Sequence, residues 1–146
     1  PLATVDLGIL MHLWLSHIRT WQDAEPQLLK LLREGQVTDQ QAIEMRQQLA
    51  QLQSLIQREN HNEWFTDQYR ILAEQDIITP SGNMQRPDRV MIKDRHAIVI
   101  DYKFGQEQPK SHLEQVRDYM TLLQQMGYTT EGHIIYNALQ TIHTIQ

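Results

Sequence analysis

RPDRVMIKDRHAIVIDYK, residues 86–103 of this 146-residue chain, decides the fold. Ala97–Ile100 is an apolar run, β-branched at Ile98, Val99 and Ile100, with polar residues on both sides. A run of that kind marks a buried strand. It ends in Asp101-Tyr102-Lys103. Side chains alternate along a strand, so Asp101 and Lys103 share one side and Tyr102 takes the other. Arg86–Lys93 reads as the preceding strand, and Asp94-Arg95 is short enough to make the pair an antiparallel hairpin. Asp88 is thereby brought toward Asp101. Two carboxylates and an ammonium at one strand end are costly to desolvate unless something compensates them. A divalent cation and a phosphate would do so.

Downstream, Gly105–Lys110 reads as a loop, and Ser111 with Glu114 forms a capping box that opens a helix to about Met126. Gly127 stops it. Glu131–Ala138 reads as a strand, joined to the Asp-Tyr-Lys strand by a right-handed crossover through the helix. Upstream, Tyr69–Thr79 is a candidate strand, followed by turn residues at Pro80-Ser81-Gly82-Asn83.

The first half is helical. Thr4–Thr20 is apolar nearly all round, the pattern of a buried helix. Glu25–Arg33 is a short helix with Gly35 as its stop. Thr38 and Gln41 make a capping box for a long polar helix reaching about Asn60. Ala42, Met45, Leu49, Leu52 and Ile56 form its one apolar stripe. Two heptads are few for a coiled coil, so the stripe is read as packing within the domain. The order is helices first, then β-β-β-α-β, in a single domain.

Thirteen basic and eighteen acidic residues give a net charge of −5, so no basic sheath announces a nucleic-acid binder. Arg86, Arg89, Lys93, Arg95, Lys103 and Lys110 nevertheless cluster in sequence around the acidic motif. The absence of cysteine excludes disulfides, thiolate-bound zinc and iron–sulfur clusters. No apolar run is long enough to span a bilayer, so a cytoplasmic protein without a membrane partner is expected. The first residue is proline rather than methionine, in keeping with a piece of something longer. No phosphate-loop motif is present, so any motor must reside elsewhere.

Asp88, Asp101 and Lys103 suit phosphodiester cleavage. Carboxylate-held Mg²⁺ can activate water and neutralise charge at phosphorus, while a lysine orients the water or offsets phosphate charge. Pro87-Asp88 followed by Asp101-Tyr102-Lys103 resembles the motif of the PD-(D/E)XK nucleases. The flanking residues resemble the RecB-like branch of that superfamily. Gly8-x-x-x-His12, Glu74, Gly105 after the lysine strand, and Gln115-x-x-x-Tyr119 match that branch in order.

The resemblance implies an α/β restriction-endonuclease-like core, a central mixed sheet flanked by helices. It implies metal ligation by His12, Asp88, Asp101 and the Tyr102 carbonyl, with Mg²⁺ or Mn²⁺ as cofactor. Lys103 would be catalytic, Glu74 would stand near the metal, and Gln115 and Tyr119 would contact DNA or brace the site. Phe104 departs from the pattern, replacing a common threonine. The expected activity is that of a Mg²⁺-dependent deoxyribonuclease, an exonuclease in DNA repair and recombination. Residues 1–146 would form the C-terminal module of a larger protein, attached to a helicase of the UvrD/Rep type. The alternative is an inactive nuclease-like domain kept for nucleic-acid binding or assembly. The other histidines (His17, His61, His96, His112, His133 and His143) read as surface or incidental.

Overall fold

The computed structural model describes residues 4–72, 86–105 and 110–145. Among these residues four α-helices, α1 (Thr4–Leu15), α2 (Ala24–Arg33), α3 (Asp39–Arg58) and α4 (Lys110–Gln125), flank one sheet. Its strands are β1 (Arg70–Ile71), β2 (Arg89–Lys93), β3 (His96–Lys103), β4 (Thr129–Tyr136) and β5 (Thr141–Ile145). Their spatial order is β1-β2-β3-β4-β5. The β3–β4 pair is parallel and the others are antiparallel. This mixed α/β sheet is the restriction-endonuclease-like core expected from the sequence.

Alternation along β3 builds two cores. Ile98, Ile100 and Tyr102 join Met91 and Ile135 against α1, α2, α3 and the 3-10 turn Asn62–Phe65. Ala97 and Val99 join Val90, Ile92 and Ile134 against α4. β3 is apolar on both faces because both faces are covered, as a strand with a parallel neighbour and helices above and below requires. Gly132 on β4 lets α4 approach closely: a Cβ there would meet Met120 Sδ at 2.5 Å and Val116 Cγ1 at 3.1 Å.

The stripe of α3 is buried within the domain, and Leu55 belongs to it as well. Its capping box is formed, with Thr38 N donating to Gln41 Oε1 at 2.9 Å and Gln41 N donating to Thr38 Oγ1 at 3.1 Å. The β2–β3 hairpin closes with Lys93 opposite His96, and Asp94 takes a left-handed φ of 54°.

Several boundaries differ from the expectation. The first helix ends at Leu15 rather than Thr20, because the chain tightens there into i→i+3 bonds from His17 N to Trp14 O and Ile18 N to Leu15 O. α4 already includes Lys110, so Ser111 lies inside the helix instead of capping it. The fourth strand begins at Thr129, two residues before the expected Glu131, and ends at Tyr136 instead of Ala138. The fifth strand was not expected; Thr141–Ile145 is short and mostly exposed at the sheet edge, so its apolar signal is weak. Of the first strand, Arg70–Ile71 is seen, and the remainder of the expected segment past Leu72 lies outside the described residues.

Candidate functional site

The site forms where the β2–β3 ladder ends. The last paired residues are Arg89 and Ile100, which leaves Asp88 and Asp101 facing each other just beyond. Each is tied to the other's strand. Asp88 N donates to Asp101 Oδ1 at 2.9 Å, and Tyr102 N donates to Asp88 Oδ2 at 2.8 Å. Lys103 Nζ lies 3.5 Å from Asp101 Oδ2, on the side that strand alternation requires.

α1 delivers His12 to the same point. His12 Nε2 lies 3.2 Å from Asp88 Oδ2 and 2.9 Å from the Tyr102 carbonyl oxygen. Its Nδ1 lies 2.7 Å from the Gly8 carbonyl oxygen, one helical turn earlier. Both ring nitrogens therefore face oxygen acceptors, which favours the doubly protonated ring. Burial works against that charge, but the Asp88 hydrogen bond and carboxylate, with the Gly8 and Tyr102 carbonyls, outweigh it and raise His12 to about 9. Asp101 moves upward too, to about 6, chiefly through burial and then through the Asp88 charge, against the Asp88 N–H and Lys103.

These donors fit a hard divalent ion: an imidazole nitrogen, carboxylate oxygens and a main-chain carbonyl. His12 Nε2 stands where carboxylate and carbonyl oxygens converge, and the contact of Nδ1 with Gly8 O matches the outer hydrogen bond that metal-ligating histidines use. Among the described residues, no group of three or more His, Cys, Asp or Glu side chains is arranged to hold a metal ion. Asp101 instead turns its oxygens to the Asp88 N–H and to Lys103. A cavity of about 670 Å³, lined by Arg19, Tyr69, Arg70 and Lys93 among others, contains none of these groups. The donor chemistry, not cavity size, marks the site.

The remaining expectations divide. Tyr119 is buried on α4, and its hydroxyl accepts from Arg86 Nη1 at 3.3 Å. Arg86 Nη2 also donates to the Leu72 carbonyl. Gln115 is half-buried one turn before Tyr119. Glu74 lies outside the described residues. Phe104 is buried with its ring edge-on to His12, centroids 5.4 Å apart, so the departure from the family pattern packs against the imidazole.

The basic residues do not form one patch. Lys93 and Arg95 flank the hairpin turn at the opposite end of β2 from Asp88, reaching toward the Tyr69 and Tyr128 rings. Arg89 is buried. Sequence proximity misled here because the extended strand carries Lys93 roughly 16 Å from Asp88, five residues away.

His133 is likewise not a surface residue; it is 2% exposed. Its Nε2 and that of His96 each lie 2.9 Å from a Glu131 carboxylate oxygen, and its Nδ1 lies 3.0 Å from Thr144 Oγ1. His61 stacks on Trp64 at 3.9 Å. Tyr136, also not foreseen, is in register with Lys103 and has its hydroxyl 3.3 Å from His112 Nδ1. No local signal in the sequence singles these residues out, because their partners come from other strands or helices.

Residues 1–144 match the family model of the PD-(D/E)XK nuclease superfamily. The chain belongs to that superfamily, whose members are generally phosphodiesterases that use divalent metals. A search among curated proteins finds no match. No helix among the described residues is long and apolar enough to cross a membrane.

Proposed function

We propose that the chain is a Mg²⁺- or Mn²⁺-dependent deoxyribonuclease, acting as an exonuclease in DNA repair and recombination. The observation that carries this reading is the convergence of His12 Nε2, Asp88 Oδ2 and the Tyr102 carbonyl oxygen beside the Asp101–Lys103 pair. His12, Asp88, Asp101 and the Tyr102 carbonyl would hold the ion. A bound divalent ion supplies activation of water and neutralisation of charge at phosphorus. Asp88 and Asp101 provide the negative charge that draws the cation in. Lys103, held by Asp101, presents an ammonium to the phosphate and to the attacking water. Gln115 faces the substrate, and the buried Tyr119 braces α4 through Arg86.

The RecB-like order of motifs supports a place as the C-terminal nuclease module of a larger helicase–nuclease. A neighbouring domain would then present DNA to a surface whose net charge is negative.

Incubating the chain with single- and double-stranded DNA, labelled at either end, and with Mg²⁺ or Mn²⁺ tests the proposal. Stepwise, metal-dependent release of nucleotides that is lost in Lys103→Ala is the expected result. No degradation, or equal degradation by the variant, would overturn it.

A further inference from the structure

Arg89 directly follows Asp88, and its side chain is only 5% exposed. A charged group leaves water at a large cost unless its donors are met. Arg89 offsets most of that cost with main-chain carbonyls, while its buried Nε has no hydrogen-bond partner. Nη1 donates to Ile18 O at 2.7 Å, and Nη2 donates to Arg19 O at 2.7 Å and to Trp64 O at 2.9 Å. The guanidinium carbon lies 3.9 Å from the centre of the Phe65 ring, and Phe65 in turn stacks with Trp21 at 3.8 Å.

The three carbonyls belong to two separate pieces of chain. Ile18 and Arg19 lie just past the end of α1, and Trp64 lies in the 3-10 turn Asn62–Phe65. One side chain therefore fastens the first residue of β2 to the chain leaving α1. α1 carries His12, and the residue before Arg89 is Asp88. An apolar side chain could fill the volume, but it would leave the three carbonyl oxygens without their donor. It could not hold three oxygens in a fixed plane. Lysine, a point charge on a flexible stem, lacks the fork that does so.

We infer that Arg89 is a positioning residue for the metal pocket, setting the approach of His12 to Asp88 by clamping the exit of α1 onto the start of β2. This rests on the metal-pocket reading proposed above. Substitution should weaken metal binding and turnover while leaving the affinity for DNA in place.

The test uses the whole chain with Arg89→Lys and Arg89→Met, and with Phe65→Leu as a milder loosening of the same clamp. Mn²⁺ affinity is measured by calorimetry, kcat and KM are measured on DNA, and the His12 ring nitrogens are followed by NMR without metal. Leu49→Ala, in the α3 core, serves as a comparison of general destabilisation. Expected are a Mn²⁺ Kd raised about tenfold or more in both Arg89 variants, a lower kcat at fixed Mn²⁺, and KM within about twofold of the parent. Arg89→Lys should fail to rescue Arg89→Met. The metal-free His12 Nε2 resonance should move in the Arg89 variants and in Phe65→Leu, but not in Leu49→Ala.

A lowered Tm with parental Mn²⁺ affinity and an unmoved His12 resonance in Arg89→Lys would reduce Arg89 to a structural staple and overturn the inference. Mn²⁺ binding by the parent that is indifferent to Asp101→Ala would instead sink the metal-pocket reading. The metal-free resonance still decides whether Arg89 governs the His12–Asp88 contact.

Discussion

Asp88 and Asp101 are cross-tied: the main-chain N–H of Asp88 serves the Asp101 carboxylate, and the N–H after Asp101 serves the Asp88 carboxylate. The exchange continues the β2–β3 ladder one step past its last regular pair, with side chains standing in for carbonyls. It also holds two negative charges close together in the metal-free protein, and that has measurable consequences.

The first concerns Asp101 and pH. Burial and Asp88 raise this carboxyl from 3.8 to about 6. The folded state then binds more protons than the unfolded chain between those values, so metal-free stability falls as pH rises through that window and stays lowered above it. Asp101→Asn removes the effect. Its gain over the parent should be absent near pH 4 and reach on the order of 2 kcal/mol by pH 7. Thermal melts from pH 4 to 8 without metal check this, and a constant difference across the range would contradict it. Mn²⁺ should raise the Tm of the parent and leave that of Asp101→Asn nearly unchanged.

His12 gives a second prediction, with the same direction of pH dependence over a higher window. Its folded value of about 9 stands above the ordinary 6.5. The stability it contributes to the metal-free protein is fully present below 6.5 and is lost as pH rises through 9. A metal at Nε2 must displace that proton. Calorimetry at pH 7.5 in buffers of different ionisation enthalpy should show about one proton released per Mn²⁺ bound. Mn²⁺ affinity should climb with pH until about 9. In His12→Ala the proton release should vanish and affinity should fall about 10- to 100-fold, the range seen when metal-site partners are lost.

Tyr119 and Gln115 are expected to separate. Tyr119 is buried and its hydroxyl meets Arg86. Tyr119→Phe should lower stability by about 1 kcal/mol, the usual worth of one such hydrogen bond, with KM for DNA unchanged. Gln115→Ala should leave stability within about 0.5 kcal/mol, as for a position that is not buried, while raising KM. Denaturant unfolding beside steady-state kinetics distinguishes the two, and a KM effect in Tyr119→Phe would return that residue to the DNA surface.

A fourth prediction falls away from the candidate site. Burial lowers His133, against the opposing pull of Glu131. A histidine kept neutral in the fold contributes stability that is present above 6.5 and is lost as pH falls below it. Burial would raise Glu131, but the hydrogen bonds from His96 and His133 prevail and lower it, so its contribution is lost at still lower pH. The domain should therefore show an acid transition that His133→Gln moves to lower pH. Far-UV circular dichroism against pH measures it, and an unmoved transition would show that His133 is not the group responsible.

Local sequence carried a good part of the fold. The apolar run Ala97–Ile100 required a strand covered on both faces, the Asp94-Arg95 link required a hairpin, and the Thr38–Gln41 pair required a helix start. These succeed because the interactions that decide them lie within a few residues. The edge strand Thr141–Ile145 escaped notice because its stability comes from pairing with β4, not from its own composition. Arg89 illustrates the same limit at the site: in the sequence it is one of a cluster of cations around the acidic motif, and only the carbonyls of Ile18, Arg19 and Trp64 show why it is buried.

By itself, the sequence determined which chemistry was on offer: two acids and a lysine on adjoining strands, an imidazole on the opening helix, and the motif order of a nuclease superfamily. The tertiary structure decided that the imidazole reaches across 90 residues to the Tyr102 carbonyl, that the Tyr119 hydroxyl meets Arg86, and that the basic residues part to opposite ends of a strand. The physical reason is range. Alternation and capping act over a few residues, whereas the protonation and packing of each polar group depend on atoms delivered by distant parts of the chain.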